Sequence, residues 1–264
     1  MLFRSPLMSS QKISPPIDRG ALIKDALREM DAPVRRLLSR RMITLGGLSM
    51  LTGCSITDGD SAGKLLMGVS RFNDRVQAGL FGATRLAPTY SESMMTRPFP
   101  FNAFYCMDKA PVVEAASYKL EVSGLVADKH SWSLDELYAL PQQEQITRHI
   151  CVEGWSAIGK WGGVPFATFL KHIGADLTAP FIGFKCADDY YTSIDMATAL
   201  HPQTLLAFTY DGKTLPREFG FPMKLRMPTK LGYKNPKHIT ALFVTRTNPG
   251  GYWEDEGYNW FGGS

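Results

Sequence analysis

Residues 148–163 read Arg-His-Ile-Cys-Val-Glu-Gly-Trp-Ser-Ala-Ile-Gly-Lys-Trp-Gly-Gly, with one cysteine, Cys151, between a basic pair and a run rich in glycine and tryptophan. A thiolate is a strong nucleophile and a soft metal ligand, and a buried thiol is an inert apolar side chain, so three roles are open to Cys151. Hydrolysis by a Cys–His pair needs an imidazole across the site, and His149, His172, His201 and His238 make no protease signature. Cys54, Cys106, Cys151 and Cys186 form no CxxC and no Cys/His cluster of zinc spacing. Arg148 and His149 stand just upstream, and nearby cations favour the thiolate. Residue type alone favours the inert core cysteine; a metal ligand is the alternative, and the surroundings must decide.

The elements that would position Cys151 are short. Residues 146–151 read as a strand running into a glycine-rich loop. Residues 118–126 alternate as a strand, as do 181–186, 204–210 and 239–246, with Asp211-Gly212 as a hairpin turn. Ser133 caps a helix that ends before Pro141, and residues 165–173 form a second helix, with Pro165 at its start and Gly174 at its end. Residues 194–200 read as a helical turn, and 71–78 as a short helix. Short strands mixed with short helices predict an α+β domain of mixed sheets.

The net charge of +4 is uneven. Residues 1–53 carry nine Lys/Arg and four Asp/Glu, leaving 20 basic against 21 acidic residues in the rest. The basic character belongs to the leader and is no argument for nucleic acid binding. Within it, Ser39-Arg40-Arg41-Met42-Ile43-Thr44-Leu45 is a twin-arginine pattern followed by an apolar run too short to span a bilayer. Leu51-Thr52-Gly53-Cys54 resembles a lipobox, which would put a lipid anchor on Cys54. These patterns predict a periplasmic protein, with residues 1–54 as leader, 55–97 as an extension and 98–264 as the functional domain. In an oxidising compartment a Cys106–Cys186 bridge remains open.

Arg148–Pro165, with its Cys151-Val-Glu-Gly-Trp155-Ser core, resembles the cofactor-binding segment of the sulfite oxidase-type molybdenum enzymes, in particular the bacterial methionine sulfoxide reductase branch. The resemblance runs from about Phe99 to Trp260. It includes Phe101-Asn102-Ala-Phe-Tyr105, Leu200–Ala207, Pro228–Lys234 and Gly250–Tyr258. It implies the sulfite oxidase-type molybdopterin-binding fold and molybdenum-molybdopterin as cofactor. Cys151 then ligates the metal and is the catalytic position. Asn102, Tyr105, Cys106 and Cys186 fall where the pterin is contacted, Lys224 where the branch has an arginine, and Asn235, Pro236 and Lys237 where it has a glycine-led phosphate-binding stretch. Phe219 stands where the branch has an asparagine, so the substrate does not transfer with the ligand.

The cofactor ends in phosphate, which needs cations and backbone N–H groups. Lys224, Arg226, Lys230, Lys234 and Lys237 form a basic segment that is either such a cradle or a solvated face. Trp155 and Trp161 either line the pterin channel or pack in the core. Glu153 reads first as an outward salt-bridge partner and second as a proton relay. The tail around Tyr252-Trp253-Glu254-Asp255 is either a surface latch or part of the site mouth.

The resulting function is two-electron oxygen-atom transfer in the periplasm, read first as reduction of a small or protein-bound S- or N-oxide. Oxidation of sulfite is the alternative, with Arg148, Arg217 and Arg226 as anion-binding candidates. A non-catalytic lipid-anchored binding protein is the alternative of another class. No haem-attachment CxxCH is present, so electrons pass through an external partner, a membrane b-type or soluble c-type cytochrome.

Overall fold

A computed structural model describes residues 85–264 and Asp74. Residues 1–54, read as an export leader with Cys54, and all but Asp74 of residues 71–78, read as a helix, lie outside the described residues. The strands are β1 (Lys119–Gly124), β2 (Trp132–Ser133), β3 (Gln143–Ile150), β4 (Ser156–Pro165), β5 (Phe181–Cys186), β6 (Tyr191–Asp195), β7 (Leu205–Tyr210), β8 (Lys213–Thr214), β9 (Lys224–Arg226) and β10 (Ile239–Thr245). The α-helices are α1 (Leu134–Tyr138), α2 (Phe166–His172), α3 (Met196–Ala199) and α4 (Tyr252–Asp255). Among the described residues no helix is long and apolar enough to cross a membrane.

Two five-stranded sheets carry this α+β fold. One runs β2-β1-β10-β5-β6, with β1 and β10 parallel and its other pairs antiparallel. The other runs β3-β4-β7-β8, with β9 also paired to β7. The main core lies on Leu120, Phe166, Phe169, Phe184, Leu206, Leu225 and Leu242. A smaller cluster gathers Phe99, Ala157, Trp161 and Leu215.

Local chemistry explains several ends. Ser133 Oγ accepts from the Glu136 amide while the Glu136 carboxylate accepts from the Ser133 amide, a reciprocal cap that starts α1. Asp211 and Gly212 both take positive φ, as the two-residue hairpin between β7 and β8 requires.

The glycine-rich run after Cys151 corrects the sequence reading. Most of it is not a loop: residues 156–165 form β4, hydrogen-bonded on both sides. A Cβ on Gly163 would overlap the Leu206 carbonyl oxygen, and the β4–β7 register shifts between Gly162 and Gly163. These glycines serve close backbone approach and a bulge within a strand. Trp161 is accordingly fully buried in the smaller core rather than lining a channel. Strand β6 is a further difference: Ile194 and Asp195, which read as the start of a helical turn, close a strand, and α3 begins only at Met196.

Candidate active site

Cys151 follows β3 directly. Its amide donates to the Trp155 carbonyl at 2.9 Å and the Gly154 amide donates back to the Cys151 carbonyl at 3.1 Å, closing the turn into β4. Gly154 takes φ +91°, which explains the glycine at that place. The turn sets the Cys151 thiol into a cleft of about 740 Å³, open mouth included.

Five segments form the cleft: Asn102–Tyr105, Cys151–Glu153, Asp188 and Tyr190 of the β5–β6 turn, the stretch from Gly232 to Lys237, and Trp253 and Tyr258 of the tail. Of the residues expected at the cofactor, Asn102, Tyr105, Asn235, Pro236 and Lys237 line it beside Cys151. Three do not. Cys106 is exposed and outside the cleft lining, Cys186 is buried within β5, and Lys224 is buried on β9 behind the wall. All three described cysteines are free, so no Cys106–Cys186 bridge forms.

The basic segment is no solvated face. Lys224, Arg226, Lys230, Lys234 and Lys237 are all buried, in two groups. Lys230 and Lys234 face the tail. Lys230 Nζ donates to the Phe261 carbonyl, and Lys234 Nζ pairs with the Glu254 carboxylate and donates to the Ser193 carbonyl. The tail is therefore both a latch and part of the mouth.

Lys224, Arg226 and Lys237 form the second group. Arg226 donates to Asn235 Oδ1, Thr147 Oγ1 and the Arg148 carbonyl, and its Nε has no partner. Lys237 Nζ donates to the carbonyls of Asn102 and Glu218. Lys224 Nζ lies over the Trp161 ring, 4.8 Å from its centroid. No carboxylate accepts from any of the three among the described residues. Burial pushes Arg226 down to about 9 and Lys237 to about 8, and drives Lys224 well below the usual lysine range. His149 is buried at their centre. Desolvation and then Arg226, Lys224 and Lys237 hold its imidazole well below the usual range, and its Nδ1 is unpartnered. Buried cations without carboxylates are costly unless an anion joins them.

The cations near Cys151 do not act on it as the sequence suggested. Arg148 is exposed and lies over Tyr90, and burial disfavours the charged form of His149. Burial, with Glu153 beside it, pushes the Cys151 thiol up instead. Glu153 is exposed but makes no ion pair among the described residues: its Oε2 accepts from Trp155 Nε1 at 2.9 Å and lies 3.6 Å from Cys151 Sγ. Sequence reasoning did not single out Asp188, Tyr190, Gly232 or Tyr258 as site residues. Gly232 and Tyr258 sit inside segments already flagged, but Asp188 carried no signal beyond an Asp-Asp turn after a strand.

The oxidoreductase molybdopterin binding domain model matches residues 107–253, more than half of the chain. The chain belongs to this family. It is 65% identical over 262 residues, 97% of this chain and 100% of the relative, to the provisionally named protein-methionine-sulfoxide reductase subunit YedZ1 of Azospira oryzae. It is 32% identical over 162 residues to the protein-methionine-sulfoxide reductase catalytic subunit MsrP of Xanthomonas campestris pv. campestris, 55% of this chain and 50% of that one. The chain thus aligns with about half the length of MsrP. The sulfane dehydrogenase SoxCD from Paracoccus pantotrophus superposes with a TM-score of 0.49 at 20% identity, over 52% of this chain and 40% of that one.

As a family member the chain is a molybdenum-dependent oxidoreductase that binds molybdopterin. Its residues fit that cofactor. Among the described residues no three His, Cys, Asp or Glu side chains gather to hold a metal alone, so a metal at Cys151 needs further ligands brought with it. Lys237, in the cleft wall with no carboxylate partner among the described residues, suits a phosphate. Gly232 keeps a cradle open, since a Cβ there would come within 2.9 Å of His149 Nε2 and 3.3 Å of Asn102 Nδ2.

Proposed function

We propose that this chain reduces an S-oxide, foremost the sulfoxide of methionine held in a polypeptide, in the periplasm, with electrons from a separate membrane cytochrome. The observation that carries the reading is a cleft around Cys151 lined by both polar and apolar side chains. Asn102, Tyr105, Asp188 and Lys237 are polar; Phe104, Val152, Trp253 and Tyr258 are apolar or aromatic. A methionine sulfoxide has the same division, a strongly polar S–O group on an apolar thioether chain, and sulfur packs well on aromatic rings. Phe104, Val152 and Tyr258 are among the large apolar side chains left exposed, as suits a substrate that is part of another chain. The names of YedZ1 and MsrP support the same substrate class. Of the anion-binding candidates for sulfite, Arg148, Arg217 and Arg226 are all absent from the cleft wall, which leaves Lys237 as the cation among its lining residues.

When bound, the cofactor supplies two-electron oxygen-atom transfer. The chain's share is to hold and orient. Cys151 would give sulfur to the metal. Lys237, the cation in the cleft wall, would hold the phosphate end. The aromatic side chains would pack on the thioether, and the polar ones would face the oxygen.

The test is metal and pterin content of the exported protein, wild type against Cys151→Ser, with turnover on methionine sulfoxide, an N-oxide and sulfite. The expected result is equimolar molybdenum and sulfoxide reduction in the wild type, lost in the variant. A molybdenum-loaded wild type that turns over sulfite and no sulfoxide overturns the reading.

A further inference from the structure

Reducing a sulfoxide consumes protons as well as electrons: one sulfoxide, two electrons and two protons give one thioether and one water. The S–O bond breaks, two O–H bonds form, and an external one-electron donor acting twice supplies the electrons. The cleft wall must therefore admit two protons per turnover. Besides Cys151, its side chains that can carry one are Glu153, Asp188, Lys237 and four tyrosines, of which Tyr190 and Tyr233 donate their hydroxyls to the backbone carbonyls of Tyr233 and Asn259. Glu153 is engaged by Trp155 Nε1, and Lys237 Nζ is spread over two backbone carbonyls.

Tyr105 and Asp188 are different. They come from separate elements, the aromatic loop and the β5–β6 turn, and meet in the wall, where Tyr105 Oη donates to Asp188 Oδ2 at 2.8 Å. The turn is shaped to hold that carboxylate. Asp189 takes φ +60°, the Cys186 amide closes the turn on the Tyr190 carbonyl, and the Tyr190 amide donates to Asp188 Oδ1 at 3.3 Å. Asp188 is half-buried, with one side toward solvent, and Tyr105 stands in the cleft.

We propose that Asp188 and Tyr105 are the proton entry of this site. Asp188 takes a proton from solvent and passes it to Tyr105 Oη as the tyrosine hydroxyl gives its own to the oxygen leaving the sulfur; two such passes complete the water. This rests on the S-oxide reading. The charged and titratable groups facing the pair are Lys237 and His238 on the Asp188 side and Cys186 and Arg217 on the Tyr105 side, with Tyr190 adjoining. Burial, then Asp188, holds the Tyr105 hydroxyl well above the usual phenol range, so Tyr105 stays protonated between passes.

The experiment compares molybdenum-loaded wild type, Asp188→Asn, Asp188→Glu and Tyr105→Phe, reducing methionine sulfoxide with reduced viologen. General acid catalysis contributes roughly 100-fold or more, so Asp188→Asn and Tyr105→Phe should lose about that much kcat with KM little changed. Formate should restore part of the Asp188→Asn rate, and Asp188→Glu should keep most activity. Molybdenum content and the molybdenum EPR signal should match wild type in every variant. Wild-type rates in Asp188→Asn, no response to formate, or a loss that follows lost molybdenum or an altered signal each overturn the proposal. A loaded wild type that reduces no sulfoxide fails the function itself, and the relay falls with it.

Discussion

Removing the Glu254 carboxylate tests whether the C-terminal latch is a dry, paired structure. Lys234 and Glu254 side chains are 1% and 4% exposed, and they face each other as an ion pair. Glu254 Oε1 also accepts from Thr192 Oγ1 at 2.8 Å, and Lys234 Nζ donates to the Ser193 carbonyl at 2.7 Å. In Glu254→Ala the ammonium stays buried with one carbonyl for company. Breaking such a pair from one side costs about 4 kcal/mol. For a folded unit of this size, 1 kcal/mol shifts Tm by about 3 °C, so the variant should melt roughly 12 °C lower. Calorimetry of the cofactor-free protein measures this. The double variant Lys234→Met/Glu254→Met should recover most of the loss, because it leaves no lone charge, but not all, because Ser193 and Thr192 lose partners. Glu254 adjoins Trp253, so loosening the latch should also raise KM for methionine sulfoxide in loaded Glu254→Ala. A Tm shift below about 2 °C would refute the reasoning, since water would then already reach the pair.

Two further outcomes follow from burial. Burial lowers Lys230 to about 7 and Lys237 to about 8, from an ordinary 10.5. Between those values the unfolded chain binds more protons than the folded one, so the cofactor-free protein should gain stability as pH rises from 7 to about 9. Above about 10 the trend should reverse, because Tyr105, Tyr118, Tyr190 and Tyr233 keep protons in the folded state that the unfolded chain releases. Urea titrations at pH 7, 8 and 9 check the sign, and a steady fall would contradict it. Gly163→Ala should cost about 3 kcal/mol, because the added methyl meets the backbone of β7, with Ala207 Cα only 2.7 Å away; its denaturation midpoint reads this directly.

Much of the fold was legible because its signals are local. Ser133 with Glu136 starts α1, Asp211-Gly212 turns β7 into β8, and residues 181–186 form a strand with the predicted bounds. The family, and with it the expectation that Cys151 stands in the cleft, was legible in another way, through ordered motifs along the chain. Where one signal served two purposes, reading failed. Glycines at 159, 162 and 163 look like a loop, yet they lie in β4, because small size suits close strands as well as turns.

The amino-acid sequence by itself determined the family and most of the short strands and helices. Tertiary structure decided burial and partnership. It turned a basic segment from a plausible solvated face into two buried groups, one under the tail and one behind the cleft. It moved Glu153 from an outward ion pair to the side of Cys151, and it brought Asp188 to Tyr105 from 83 positions away in the chain. The physical reason is range. Caps, turns and alternation act within a few residues, whereas desolvation and hydrogen bonding across a cleft depend on which distant segments the two sheets bring together.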